Sequence, residues 1–361
     1  MPSGAAGRQG HIPTIRLDEK RLVPTGSCFY DGSNHFHCRN DWIAALNAPF
    51  NDALEDLRIS GSILLHERYA PPWAIEIPDE KELRSALGAD RGTRIVPFHL
   101  VRAGCFDLSH DGAQMRRITT HEVAICPSGA PHLMSSGRRA KPVPLTEVLR
   151  GKTDWTGDLS QEDATELICG VFQLHATPLN PLYRALPRVL TVATSGKDAD
   201  PMLDHAASML SLEVSKGTTS FVAARLLEVF FAEALRAYGR SQGRDRVGWF
   251  RAIDDPRIGM ALSRLHQDPG APWTVASLAE IVSMSPSRFS ARFREVTGQS
   301  AMSYVSSWRM TLACQKLRET TENLDRIADT IGYKDVASFS RAFKSSVGQS
   351  PARWRTAQSR A

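Results

Sequence analysis

Between residues 51 and 180 the apolar positions come in short runs broken by Gly and Pro: SGSILLHERY, RIVPFHLVRAGCFDL, EVAICPSGAPHLM and ELICGVFQLHA. Runs of this length with turn residues between them predict β-strands closing into an antiparallel sandwich or barrel. RRAKPVPLTEVLRGKTDWTGDLSQEDA, between two of these runs, reads as a long loop. From 201 to 240 the period becomes helical, and SFVAARLLEVFFAEALRAYG sets Val222, Leu226, Val229, Phe230 and Ala234 on one face. Residues 241–250, beginning SQGRDRVG, read as a linker. The remainder, 251–361, predicts short helices: Asp255-Pro256, Ser285-Pro286 and Ser350-Pro351 each put a capping side chain before a proline at the first helical position. Residues 1–50 show no sustained period and read as a disordered extension, leaving 51–240 and 251–361 as the folded domains.

Composition changes this picture little: 42% apolar and 23% charged residues are ordinary for a globular chain, which excludes low-complexity and collagen-like classes. No apolar stretch approaches the roughly 18 residues of a spanning helix, so no membrane partner is expected. Six cysteines without regular spacing fit a reducing cytoplasm. Charge is more informative. Residues 251–361 hold 16 Lys and Arg against 10 Asp and Glu, whereas the first 250 hold 28 against 29. The basic excess sits in the last third, which suits a polyanion partner or equally a solubility device. Cys28, His35, His37 and Cys38 are zinc-type ligands, but their spacing matches no paired-knuckle pattern.

The last third also repeats itself. Phe289, Ser290, Phe293, Gly298, Gln299 and Ser300 recur fifty residues on as Phe339, Ser340, Phe343, Gly348, Gln349 and Ser350. Each copy follows a short helical segment, VASLAEIV or LDRIADTI, in the manner of a helix-turn-helix. The intervening AMSYVSSWRMTLACQKLR would span roughly 27 Å as a helix, enough to set two recognition helices about one DNA turn apart. Residues 273–355, with W-T-V-x-S-L-A, M-S-P-S-R-F-S-A-R-F-R-E-V-T-G and G-Q-S-P-A-R-W-R, resemble the DNA-binding domain of the AraC/XylS family of transcription regulators. The resemblance implies recognition helices at Pro286–Val296 and Val336–Ser346, with Asp335 as a cap. It places Ser287, Arg288, Ser290 and Ala291, and Ala337, Ser338, Ser340 and Arg341, towards DNA. Arg288 and Arg341 suit bidentate contact with guanine; a phosphate contact is the alternative for either. Double-stranded promoter DNA and RNA polymerase are the implied partners.

Pro127-x-Gly129-x-x-His132 matches the core of the second cupin motif, so residues 51–240 resemble the sensor domain of the AraC subgroup that carries a cupin. The implied fold class is α+β: a cupin-like β-barrel followed by helices, then an all-α domain with two helix-turn-helix motifs. His99, His121 and His132 could form a three-histidine site for a divalent metal, or be barrel residues held by backbone partners. Cys126 and Cys169 are redox candidates, against the reading of buried inert thiols. Leu226, Val229 and Phe230 could join a homodimer interface or pack inside the chain. The expected function is a DNA-binding regulator, not an enzyme, whose barrel senses a small molecule, metal or oxidant. The alternative is a metal-dependent cupin enzyme with a DNA-binding tail, which needs a carboxylate beside the histidines.

Overall fold

The computed structural model describes residues 28–30, 36–38 and 41–359, apart from 91, 111–114, 154, 156–162, 176–178, 198, 218–219 and 242–247. The chain divides into two units, Met1–Ala44 and Ala45–Ala361. In the first, β1 (Cys28–Tyr30) and β2 (Phe36–Cys38) pair antiparallel, with Cys28 opposite Cys38. The side chains of the Cys28, His35, His37 and Cys38 set lie outside the described residues. Helix α1 (Asp41–Leu57) buries Phe50, Ala53 and Leu57, so packed structure begins ahead of residue 51.

The barrel follows: β3 (Ile59–Tyr69), β4 (Trp73–Ile77), α2 (Glu80–Ala86), β5 (Arg94–Ala103), β6 (Cys105–Ser109), β7 (Arg116–Thr119), β8 (Glu122–Ile125), β9 (His132–Ser136), β10 (Val143–Pro144), α3 (Leu145–Val148), β11 (Thr165–Leu174), α4 (Pro181–Ala185) and β12 (Leu190–Ala193). They build two five-stranded sheets, ordered β10-β4-β9-β6-β7 and β12-β8-β5-β11-β3. One core fills the space between the sheets, with Trp73, Ile75, Phe106 and Met134 from the first and Ile95, Val101, Leu167 and Val171 from the second. Alternate residues of the second sheet, including Val96, Phe98, Leu100, Ile168 and Phe172, point the other way into a helical core. A sheet covered on both faces reads as a continuous apolar run, which is the texture of RIVPFHLV. Gly170 permits that packing: a Cβ there would lie 2.8 Å from the Phe98 ring and 2.2 Å from the Ser62 carbonyl.

Helices α5 (Pro201–Val214) and α6 (Phe221–Ser241) cover this outer face. The buried side of α6 is Ala223, Leu227, Phe230, Phe231, Ala234 and Leu235, whereas Val222 and Val229 are each 48% exposed. This corrects the expected stripe, which lies about one position off: α6 is apolar over more than half its circumference, and periodicity alone does not select the stripe facing the sheet.

Helices α7 (Trp249–Asp254), α8 (Pro256–Gln267), α9 (Val275–Ile281), α10 (Pro286–Thr297), α11 (Ala301–Glu319), α12 (Leu324–Thr330), α13 (Val336–Val347) and α14 (Pro351–Ser359) complete the chain. The expected linker ends within structure, because Trp249 and Phe250 are buried and continue the core from the sheet and α6 into α8–α11. Helix α11 is apolar on two sides. Tyr304, Val305 and Trp308 enter this large core, and Met310, Ala313 and Leu317 enter a separate one with Ile327, Phe339, Phe343 and Trp354.

Candidate nucleic-acid interface and barrel cluster

The two candidate recognition helices, α10 and α13, are built alike. Ser285 caps α10 by accepting from the Arg288 amide, and Asp335 caps α13 by accepting from the Ser338 amide. Each helix ends on a left-handed glycine, Gly298 (φ 78°) and Gly348 (φ 84°). Each is anchored by a phenylalanine pair one turn apart: Phe289–Phe293 with ring centroids 5.6 Å apart, Phe339–Phe343 with 5.7 Å. Their burial turns Ser287, Arg288, Ser290 and Ala291 to solvent on α10, and Ala337 and Arg341 on α13, with Ser338 and Ser340 half-buried. The Arg341 guanidinium donates to Ser338 Oγ at 3.3 Å, and Ser338 Oγ donates to Asp335. Arg288 borders an open trough with Asp255, Arg257, Met284 and Arg292.

Three features of this interface escaped the sequence. Arg292, on the same helix as Arg288, forks onto Asp255 at 2.7 and 2.9 Å and reaches Glu295 at 2.8 Å, tying α10 to the start of α8. Arg309, on α11, donates to the carbonyls of Pro269 (2.8 Å), Ala271 (2.7 Å) and Gly332 (3.3 Å). It thereby binds the loop before α9 to the turn between α12 and α13. Finally, the left-handed residue of the first turn is Ser283 (φ 52°), and that of the second is Gly332 (φ 81°). These are 49 residues apart, while the caps Ser285 and Asp335 are 50 apart, so the second turn is one residue longer.

Inside the barrel, His99 and His132 meet with Nε2 atoms 2.9 Å apart, His99 from β5 and His132 from the start of β9 in the facing sheet. The Ala130 carbonyl can only accept, so His132 Nδ1, 3.0 Å away, carries the proton and its Nε2 is a bare lone pair. His99 Nε2–H then donates to it, and His99 Nδ1 is buried without a partner. Cys126 Sγ lies 3.8 Å from His132 Nε2, and the three ligand atoms fall within 4.8 Å of one another. All three residues are buried. Burial holds both imidazoles below the usual histidine range and pushes the Cys126 thiol up to about 12.

His121 does not join them. It is an exposed residue in the β7–β8 turn, with φ 65°, and its carbonyl accepts from Thr194. Cys169 is buried on β11 opposite His99, but stands outside the three-residue cluster, and desolvation raises its thiol further. Both thiols are held protonated by their surroundings, against the thiolate that fast oxidation requires.

The sequence profile of the cupin family matches residues 48–239, more than half of the chain. The chain belongs to the cupin family. A helix-turn-helix domain profile matches residues 278–357 of this cupin protein. An AraC-like transcription regulator of Streptomyces lividans is 28% identical over 265 residues, covering 73% of this chain and 87% of its own. The HTH-type transcriptional regulator AlkR of Acinetobacter baylyi is 24% identical over 309 residues, covering 83% and 96%. Among solved structures, the C-terminal domain of AraT, a response regulator from Geobacillus stearothermophilus, is 28% identical over 28% of this chain and 85% of its own, with a TM-score of 0.28. The cupin chain thus ends in a helix-turn-helix domain, as its AraC-like relatives do. The metal-dependent enzyme reading calls for a carboxylate beside the histidines; among the described residues the cluster holds a thiol.

Proposed function

We propose that this cupin chain regulates transcription by reading promoter DNA with α10 and α13, while its barrel receives the signal that adjusts the reading. The observation that carries this is the pair of matched recognition helices, each capped, glycine-terminated and pinned by two buried phenylalanines, with Ser, Ala and Arg outward. An outward face of this kind fits the major groove, where Arg288 and Arg341 have the geometry to address guanine. RNA polymerase is the natural second partner of such a protein, and the cytoplasm its place of work. Of the residues weighed for contact with a second copy, Phe230 is buried in the core and Leu226 packs against it, which leaves Val229 exposed.

Coupling between barrel and DNA is supported by their shared core. Tyr304 of α11 accepts from Trp249 Nε1 at 3.1 Å and bonds His266 Nε2 at 2.9 Å; His266 stacks on Trp308 at 3.9 Å and reaches Asp52 of α1 at 3.3 Å. Asp52 and Phe50 of α1, Trp249 of α7 and the first helix-turn-helix are therefore packed as one block.

The test begins with genome-wide mapping of bound DNA to obtain an operator. Affinity for that operator and for a scrambled duplex is then measured across a salt series. Arg288→Ala and Arg341→Ala should each cost about 1–3 kcal/mol on the operator and little on scrambled DNA. Equal losses on both, with the salt slope reduced by about 1, would assign the arginines to phosphates. No preference for mapped sites over scrambled DNA would remove the proposal.

A further inference from the structure

We propose that His99, Cys126 and His132 form a zinc site with one open coordination position, which makes the metal the signal received by the barrel. This rests on the regulator reading above and names the ligand of its sensor.

Two of the three donor separations are close to what zinc needs, and all three donor atoms lie within 4.8 Å of one another. Zn–N bonds of about 2.05 Å and a Zn–S bond of about 2.3 Å at tetrahedral angles put N···N near 3.3 Å and N···S near 3.6 Å. The observed separations are 2.9 Å for His99–His132 and 3.8 Å for Cys126–His132. Opening the histidine pair by a few tenths of an ångström and setting Cys126 Sγ near 3.6 Å from His99, from which it stands within 4.8 Å, are the side-chain adjustments that admit the ion. His132 is already arranged as a ligand: its Nδ1–H is held by the Ala130 carbonyl, so its Nε2 lone pair is aimed at the centre. The pattern of strands supplies rigidity, with one donor on β5, one directly after β8 and one at the start of the facing β9.

The surroundings favour an ion over an organic effector. The cavity beside His99, walled by Leu65, Ile75, Met134, Leu145 and Val171, has a volume of about 10 Å³. That is at the lower limit for one water, against about 300 Å³ or more for a drug-sized ligand. A thiol with two imidazoles selects a thiophilic ion over magnesium or calcium. Three protein donors leave the fourth position for water or a small anion. On binding, the Cys126 S–H bond breaks, the S–Zn bond forms, and the proton leaves to solvent. The His99 proton moves from Nε2 to Nδ1, freeing Nε2 for the metal. The net charge of the loaded cluster is +1, a new positive charge inside an apolar barrel.

The full chain carrying Cys28→Ser and Cys38→Ser, so that N-terminal thiols do not contribute, is titrated with cobalt(II) and then zinc. One ion per chain is expected, with a thiolate-to-cobalt charge-transfer band that zinc removes and one proton released per zinc. Cys126→Ser should abolish the band, and His132→Ala should weaken binding by tenfold or more. His121→Ala should leave both unchanged. Circular dichroism of each variant checks folding. No band in the parent, or a band that survives Cys126→Ser, overturns the site. Operator affinity is measured on the same samples with and without zinc, and a change of threefold or more is expected. Stoichiometric zinc with unchanged affinity overturns the metal as signal. Intact operator preference in a protein that takes no metal refutes this inference alone, whereas loss of operator preference in the parent refutes the regulator reading.

Discussion

Replacing Arg309 tests whether one side chain sets the relation between the two helix-turn-helix motifs. Its guanidinium holds the carbonyls of Pro269, Ala271 and Gly332 and lies 6.0 Å above the Tyr333 ring. A hydrogen bond from a charged donor contributes about 1.5–3 kcal/mol. The three bonds would sum higher, but Arg309 is only half-buried, so water replaces part of what is lost. Arg309→Met, which keeps the apolar stem, should therefore cost about 2–4 kcal/mol. Arg309→Lys should cost nearly as much, because a compact ammonium does not span three carbonyls. Urea melts followed by circular dichroism measure the stability. The second readout is the affinity for operators whose half-sites are separated by an extra half turn of DNA. The parent should reject the lengthened site strongly and the variant less so, because its second motif is loosened. A loss below about 1 kcal/mol with spacing discrimination unchanged would refute the reasoning.

The remaining predictions concern backbone strain and acid stability. Ser283 adopts φ 52° in the first turn, a conformation that disfavours residues with a Cβ, so Ser283→Gly should stabilise the protein by about 0.5–1 kcal/mol, read as a higher urea midpoint. Burial holds His266 below its ordinary value near 6.5, so below that pH the unfolded chain binds the extra proton and stability falls as pH falls. Asp56, raised by burial to about 6, works oppositely: the folded chain holds its proton below pH 6, and that contribution to stability grows as pH falls towards 3.8. His266→Gln should therefore gain stability relative to the parent on going from pH 7.5 to 5, and Asp56→Asn should remove the opposing contribution. Urea melts at the two pH values decide both; parallel shifts of parent and His266→Gln would place the proton elsewhere.

Helices α10 and α13 were legible to within one residue at their C-termini because local chemistry marks their ends: Ser285-Pro286 and Asp335 open them, and Gly298 and Gly348 close them. The barrel strands were legible as apolar runs, but not the inward parity of His99. Strand β5 is buried on both faces, so no alternation of polar and apolar residues marks its two sides. The metal candidate His121 looked equivalent to its partners in the sequence. A left-handed turn between short strands carries it out of the barrel, while Cys126, chosen as a redox residue, takes the place beside the histidines. The shared core was hidden for another reason. Trp249 and Phe250 follow a glycine- and charge-rich stretch, and two adjacent aromatics there were the one available sign that the chain docks again.

The one-residue difference between the two turns has a consequence for the DNA. Two readers with unlike turns and unlike outward residues, joined by a single helix in one chain, have no twofold axis between them. A target matched to such a protein has a head and a tail. Reversing the operator in front of a gene would present the opposite end of the protein to whatever is bound downstream, so orientation as well as sequence becomes part of the instruction.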